Sequence, residues 1–162
     1  MKQLLYFLLI SLAFASCDTA TRPISLLLSL DSVEHISGKP EYLGSPFVTA
    51  GARVYMIGHQ DGSFPDLGWH VSGEMGGIWD HPIKLMDGFS LNVKEVNGED
   101  AYCLDKADEF VNYPFANKHI FRKGDLLIQR TQFVPDDAME GLIVEYAITN
   151  QSEEEKSLEL AF

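Results

Sequence analysis

Cysteine is nearly absent from this chain: Cys17 and Cys103 are the two it has. A disulfide framework and a cysteine-rich zinc site are excluded on that count. Basic residues are scarce too. Twelve lysines and arginines face 24 acidic residues, for a formal net charge of −12. Binding to a phosphate backbone needs a basic face, so nucleic acid is excluded as a partner. The one long apolar run, Leu4–Phe14, is too short to span a bilayer as a permanent helix. Beyond it no segment carries the period of an amphipathic helix. P-loop, dinucleotide fingerprint, zinc-protease helix and nucleophile elbow are all missing. So are internal repeats and low-complexity tracts.

The first residues read as a targeting segment. Lys2 precedes the apolar run, and Ala15-Ser16 lead into Cys17. This is the order of a lipoprotein-type signal peptide over residues 1–16, with Cys17 lipidated as the mature N-terminus. Residues 17–23 are then a short tether. Contact with the membrane would run through the lipid anchor only, and the protein would be exported to the periplasm or cell surface. Ordinary cleavage nearby and a buried hydrophobic N-terminus are the competing readings. With Cys17 lipidated, Cys103 has no intrachain partner. It stands in the alternating run AYCL, where an inert packed thiol fits better than a nucleophile.

Residues 24–162 predict one all-β domain, an antiparallel β-sandwich. Ile24–Leu30 is a compact apolar strand, and Asp31–Pro46 is loop, broken by Gly38, Pro40, Gly44 and Pro46. Phe47–Val48 and Arg53–Ile57 are strands. Phe89–Val96 and Asp100–Leu104 flank Asn97-Gly98, a strong hairpin signal. Asp105–Asn112 is a polar connection, with one helical turn as the alternative. His119–Arg122 and Asp125–Val134 form a second hairpin. Gly141–Thr149 places Leu142, Val144, Tyr146 and Ile148 on one face, and Ser157–Phe162 starts another strand. The sequence stops inside that strand pattern, which predicts a sandwich truncated at its C-terminal end.

Gly58–Phe89 departs from this regularity. It gathers Trp69 and Trp79, three of the five histidines and seven of the thirteen glycines. The mixture predicts irregular chain built into a surface rather than a plain strand or helix. His59, His70 and His81 with Asp61, Asp66 and Asp80 match no metal-ligand spacing, so no metal and no cofactor is expected. Asp66, Glu74, Asp80 and Asp87 could pair as acid and base for glycoside hydrolysis. An acidic chain supplies such pairs by chance, and loop capping is the default for each. The tryptophans carry more. Sugar rings have apolar faces that stack on indole, and their hydroxyls need polar partners such as Asp, His and Lys. Trp69, His70, Trp79, Asp80, His81, Lys84 and Asp87 are therefore the candidate contacts, either to carbohydrate or across an interface. Burial of both indoles as core or interface plugs is the plainer alternative.

Phe47 to Phe89, FVTAGARVYMIGHQDGSFPDLGWHVSGEMGGIWDHPIKLMDGF, resembles the N-terminal domain of a group of bacterial glycoside hydrolases. These are labelled glycogen-debranching-like or amylo-α-1,6-glucosidase-like. They are related to families whose catalytic domain is an (α/α)6 barrel. The ending ITNQSEEEKSLELAF is similar to later strands of the same domain. The resemblance implies an exported protein with an N-terminal β-supersandwich, acting on an α-glucan or related glycan. It also implies that the catalytic carboxylates lie on the barrel, so no catalytic residue is carried over here. The implied partners are carbohydrate and the (α/α)6 catalytic domain of the same protein, with the Trp69–Asp87 stretch at the contact. A freestanding glycan-binding lipoprotein without catalysis is the alternative, and a structural role in the envelope a third.

Overall fold

The structure is a computed structural model that describes residues 30, 32–98, 100–135 and 141–162. The expected signal peptide, Cys17, the tether and all of the Ile24–Leu30 strand except Leu30 lie outside the described residues. Twelve strands are described: β1 Ile36–Ser37, β2 Pro46–Ala50, β3 Val54–His59, β4 Gly77–Asp80, β5 Ile83–Met86 and β6 Asn92–Glu95, then β7 Ala101–Cys103, β8 Glu109–Asn112, β9 Ala116–Lys123, β10 Leu126–Phe133, β11 Ile143–Asn150 and β12 Leu158–Ala161. One 3-10 turn, Pro40–Tyr42, is the sole helical element among the described residues.

The strands form three antiparallel sheets: β1-β8-β9-β10-β11, β2-β3-β4-β5 and β12-β6-β7. The five-stranded sheet is the base. Its register aligns Ile128 with Phe121 and Ile148, Arg130 with His119 and Tyr146, and Gln132 with Asn117 and Val144. Because side chains alternate along each strand, these residues share one face. At one end that face packs on the three-stranded sheet, where Leu91, Val93, Leu104, Phe121, Leu126 and Ile128 form an apolar cluster. At the other end it meets the four-stranded sheet through Phe47, Val54, Met56, Ile78, Phe110 and Val134. Each fully buried side chain of this kind contributes about 1.5–3 kcal/mol. The molecule is thus an all-β antiparallel sandwich, as the strand spacing predicts. A polar tie crosses the two layers: Thr49 Oγ1 of β2 donates to Asn117 Oδ1 of β9.

Three local expectations are corrected. Asp105–Asn112 is not merely a polar connection, because Glu109–Asn112 is an internal strand of the base sheet. Phe110 and Val111 are both buried, one on each face, and a strand covered on both sides loses its alternation. Gly58–Phe89 is not irregular throughout. Gly77–Asp80 and Ile83–Met86 pair as a hairpin carrying a register shift at Ile78/Trp79. The Asn97-Gly98 hairpin is wider than a two-residue turn, since the pairing closes at Lys94 and Ala101. By contrast, β9 and β10 close tightly on Gly124-Asp125, with Lys123 opposite Leu126.

Candidate functional site: an aromatic platform and a braced loop

The inner face of the four-stranded sheet holds Val54, Met56 and Ile78. Tyr55 and Trp79, opposite each other in the β3–β4 register, therefore point outward. Their rings lie parallel, 6.4 Å apart with an interplanar angle of 6°. Trp79 Nε1 donates to Gly76 O at 2.9 Å, which fixes the indole against the strand. Lys84, opposite Trp79 on β5, lies 5.8 Å from the Trp79 ring centroid. The same Nζ donates to Gly73 O at 2.9 Å and pairs with Asp87 at 2.5 Å.

Gly73 belongs to the loop that carries the second tryptophan. Glu74 Oε1 accepts from the backbone N–H groups of both Trp69 and His70 at 2.8 Å. Those two hydrogen bonds hold the Glu74 carboxyl below the usual carboxylate range, the His70 contact contributing most. Met75 N–H returns to Leu67 O at 2.9 Å, so the loop closes on its own backbone. Gly73 has φ +79°, a left-handed conformation that a side chain would resist. This braced loop presents Trp69 to solvent, 86% exposed. Lys84 is the joint between loop and platform.

The seven predicted contact residues separate into two groups. Trp79, Lys84 and Asp87 form one connected unit, and Lys84 links it to the loop bearing Trp69 and His70. Asp80 and His81 sit at the far end of the β4–β5 hairpin. There Asp80 pairs with Arg53 at 3.4 Å and His81 is exposed at the turn. Trp79 is half-buried and Trp69 is open, so plugging of the core by both indoles does not describe the fold. Sequence reasoning missed Tyr55, which stacks on Trp79. The alternation of Val54 and Met56 inward against Tyr55 outward was the available signal.

Three of the four candidate carboxylates, Glu74, Asp80 and Asp87, are engaged by backbone donors or cations. Glu74 is held ionised by backbone donors, the reverse of what a general acid requires. Asp80 and Asp87 each face a cation. Asp87 also lines a cleft of about 480 Å3 with Phe64, Ser90, Cys103 and Asp105. The Cys103 thiol is pushed up by burial, then by Asp105, which opposes thiolate formation. Among the described residues, no three of His, Cys, Asp and Glu converge as a metal site would require.

A second polar cluster lies inside the sandwich, and the sequence pattern did not point to it. Arg130 and His119 are each 0% exposed. Arg130 Nη1 and Nη2 both donate to Gly62 O at 3.1 Å. Its guanidinium lies 5.3, 5.8 and 5.9 Å from the rings of Phe89, Phe121 and Phe64. None of the ion pairs among the described residues includes it. Burial lowers the Arg130 pKa from its ordinary value, while Tyr146 and then the Asp61 carboxylate favour the guanidinium charge; no hydrogen bond of good geometry joins Arg130 to Tyr146. Arg130 Nε and Tyr146 Oη are both buried without a partner. His119 is held well below its ordinary pKa by burial, then by the Arg130 charge. It is neutral, with Nδ1 placed 3.3 Å from Gln132 Nε2 to accept from it.

Comparison with protein-family models, with curated proteins and with solved structures returns no match.

Proposed function

We propose that this chain is the non-catalytic β-sandwich module of an exported glycoside hydrolase acting on an α-glucan or related glycan. In this reading the Trp69–Lys84 surface edges the carbohydrate site beside an (α/α)6 catalytic domain. The observation that supports it is the exposed Trp69 indole, held on a loop braced by Glu74 and Lys84. An exposed indole on a mobile loop would lose ordering entropy on meeting a ligand, whereas a braced one is preorganised. Nearby His70 and Asp87 offer polar groups for hydroxyls.

Titration of the folded chain with malto-oligosaccharides, followed by tryptophan fluorescence, tests the contact. Saturable quenching is expected for the native protein and its loss in Trp69→Ala. A spectrum that stays unchanged up to tens of millimolar oligosaccharide, with the fold intact, removes Trp69 from the sugar site. Release of reducing sugar by this chain alone would overturn the non-catalytic assignment. The freestanding glycan-binding lipoprotein is separated by the size of the natural product. A native polypeptide much longer than 162 residues favours the hydrolase module.

A further inference from the structure

The cleft of about 480 Å3 lies between the Gly62–Phe64 turn, the Asp87–Ser90 segment that follows β5 and the Cys103–Asp105 stretch that ends β7. Its apolar lining is Phe64 and Phe89, both half-buried, with ring centroids 4.9 Å apart at 50°. A Cβ at Gly88 would collide with the Phe64 side chain, so glycine there lets the backbone close on that ring. The polar lining consists mainly of acceptors. No ion pair among the described residues includes Asp105. Asp87 pairs with Lys84 and is otherwise open to solvent. Ser63 Oγ donates to Asp61 Oδ1 at 2.7 Å, which leaves its lone pairs to accept. The half-buried Cys103 lines the same space.

We propose that this cleft is a second carbohydrate subsite, taking a further unit of the glycan that meets Trp69; the ligand class rests on the carbohydrate reading of Trp69. Carboxylate and hydroxyl acceptors beside two phenyl rings suit a ligand that brings hydroxyl donors and an apolar ring face. A neutral polyol fits better than a cation. Among the described residues no three side chains converge as metal ligands, and the Lys84 charge beside Asp87 would repel a cationic ligand. The cleft is also joined to the Trp69 loop twice. Asp87 pairs with Lys84, which donates to Gly73 O of that loop. Phe64 precedes Trp69 by five residues, so their Cα atoms are at most about 18 Å apart. An oligosaccharide covers such a span, and a single sugar does not.

The test reads the two sites separately in the full chain carrying Cys17→Ser, where Cys103 is the sole thiol. Maltohexaose is titrated while tryptophan fluorescence and the rate of Cys103 alkylation by iodoacetamide are followed. Alkylation should slow as sugar fills the cleft, by about tenfold at about ten times Kd. Asp105→Asn keeps the side-chain shape. It should raise the Kd for that protection about tenfold, as for a lost hydrogen bond to a charged group, with the urea midpoint unchanged. Undiminished protection in Asp105→Asn overturns the accepting role given to that carboxylate. Fluorescence quenching with Cys103 unprotected overturns the subsite and leaves the Trp69 contact standing. Protection without quenching keeps the cleft as a sugar site and overturns the Trp69 contact instead. No response in either signal overturns both.

Discussion

Two cations in this molecule do one job in opposite surroundings. Lys84 lies over Trp79 and donates to Gly73 O. Arg130 lies among Phe64, Phe89 and Phe121 and donates twice to Gly62 O. Each therefore pins a glycine carbonyl of Gly58–Phe89 to a sheet. Both glycines have positive φ, +93° at Gly62 and +79° at Gly73. The difference is the counterion and the solvent. Lys84 has Asp87 beside it and partial access to water. Arg130 is fully enclosed, and no ion pair among the described residues includes it. A solvated cation on an aromatic ring is a modest, local tether. An enclosed one is a structural keystone, because removing it leaves a cavity and an unpaired carbonyl. The surface tether shapes where Trp69 points, and the interior one decides whether the two layers hold together.

The comparison breaks first at Arg130. Arg130→Ala empties the volume enclosed by three phenylalanines and strands Gly62 O, so a loss of about 3–5 kcal/mol is expected. Urea unfolding with an unchanged m-value would measure it. Arg130→Met separates the two contributions. It keeps most of the apolar volume and removes only the donors, so its cost should fall to about 1–3 kcal/mol. A methionine variant more stable than the native protein would show that the cation serves something other than the fold.

A second, smaller effect sharpens the contrast through pH. His119 is neutral in the fold because burial and Arg130 oppose its charging. The unfolded chain charges that histidine near pH 6.5. Between the unfolded pKa and the depressed folded one, the unfolded state binds more protons, so stability falls as pH falls. Up to about 1.4 kcal/mol should be lost for each pH unit below 6.5. His119→Gln should flatten that slope in thermal melts between pH 7 and 5. A slope that persists in the variant would place the acid sensitivity in the carboxylates instead.

Legibility in the sequence follows from how many faces of an element are buried. The β9–β10 hairpin was readable because Gly124-Asp125 is a turn signal between two alternating runs. β11 was readable because Val144, Tyr146 and Ile148 alternate with more polar neighbours. By contrast, β8 was hidden because Phe110 and Val111 bury opposite faces of an internal strand and erase the period. At the candidate site, Trp69 and Trp79 stood out by residue type, and Lys84 by its place beside them. What joins them did not stand out. The Lys84 to Gly73 bond spans 11 residues, and the Glu74 bracing uses backbone donors that have no sequence signature. Arg130 was the most hidden, since an arginine within LLIQRTQF normally marks the wet face of a strand. Only the three phenylalanines and the Gly62 carbonyl, distant in sequence, turn it inward.

The smallest effect belongs to the surface member of the pair. Lys84→Met keeps the aliphatic cover over Trp79 and removes the charge that reaches Gly73 O and Asp87. Solvent screens both contacts, so the global cost should stay near 0.5–1 kcal/mol. The local consequence should be larger than the global one. With Gly73 released, the loop keeps only its own backbone bonds and the Glu74 brace, and Trp69 should move more freely. Time-resolved fluorescence anisotropy in a Trp79→Phe background, where Trp69 is the sole indole, reads that motion. Faster depolarisation in Lys84→Met, with an almost unchanged urea midpoint, is the expected outcome. Lowering the pH below the ordinary glutamate pKa of about 4.3 should loosen the same loop in the native protein. Glu74, depressed in the fold, holds Trp69 and His70 N–H only while ionised, and its contribution is lost as pH falls through the folded pKa. If Trp69 stays rigid in both experiments, the loop is held by its backbone alone, and Lys84 is no counterpart to Arg130.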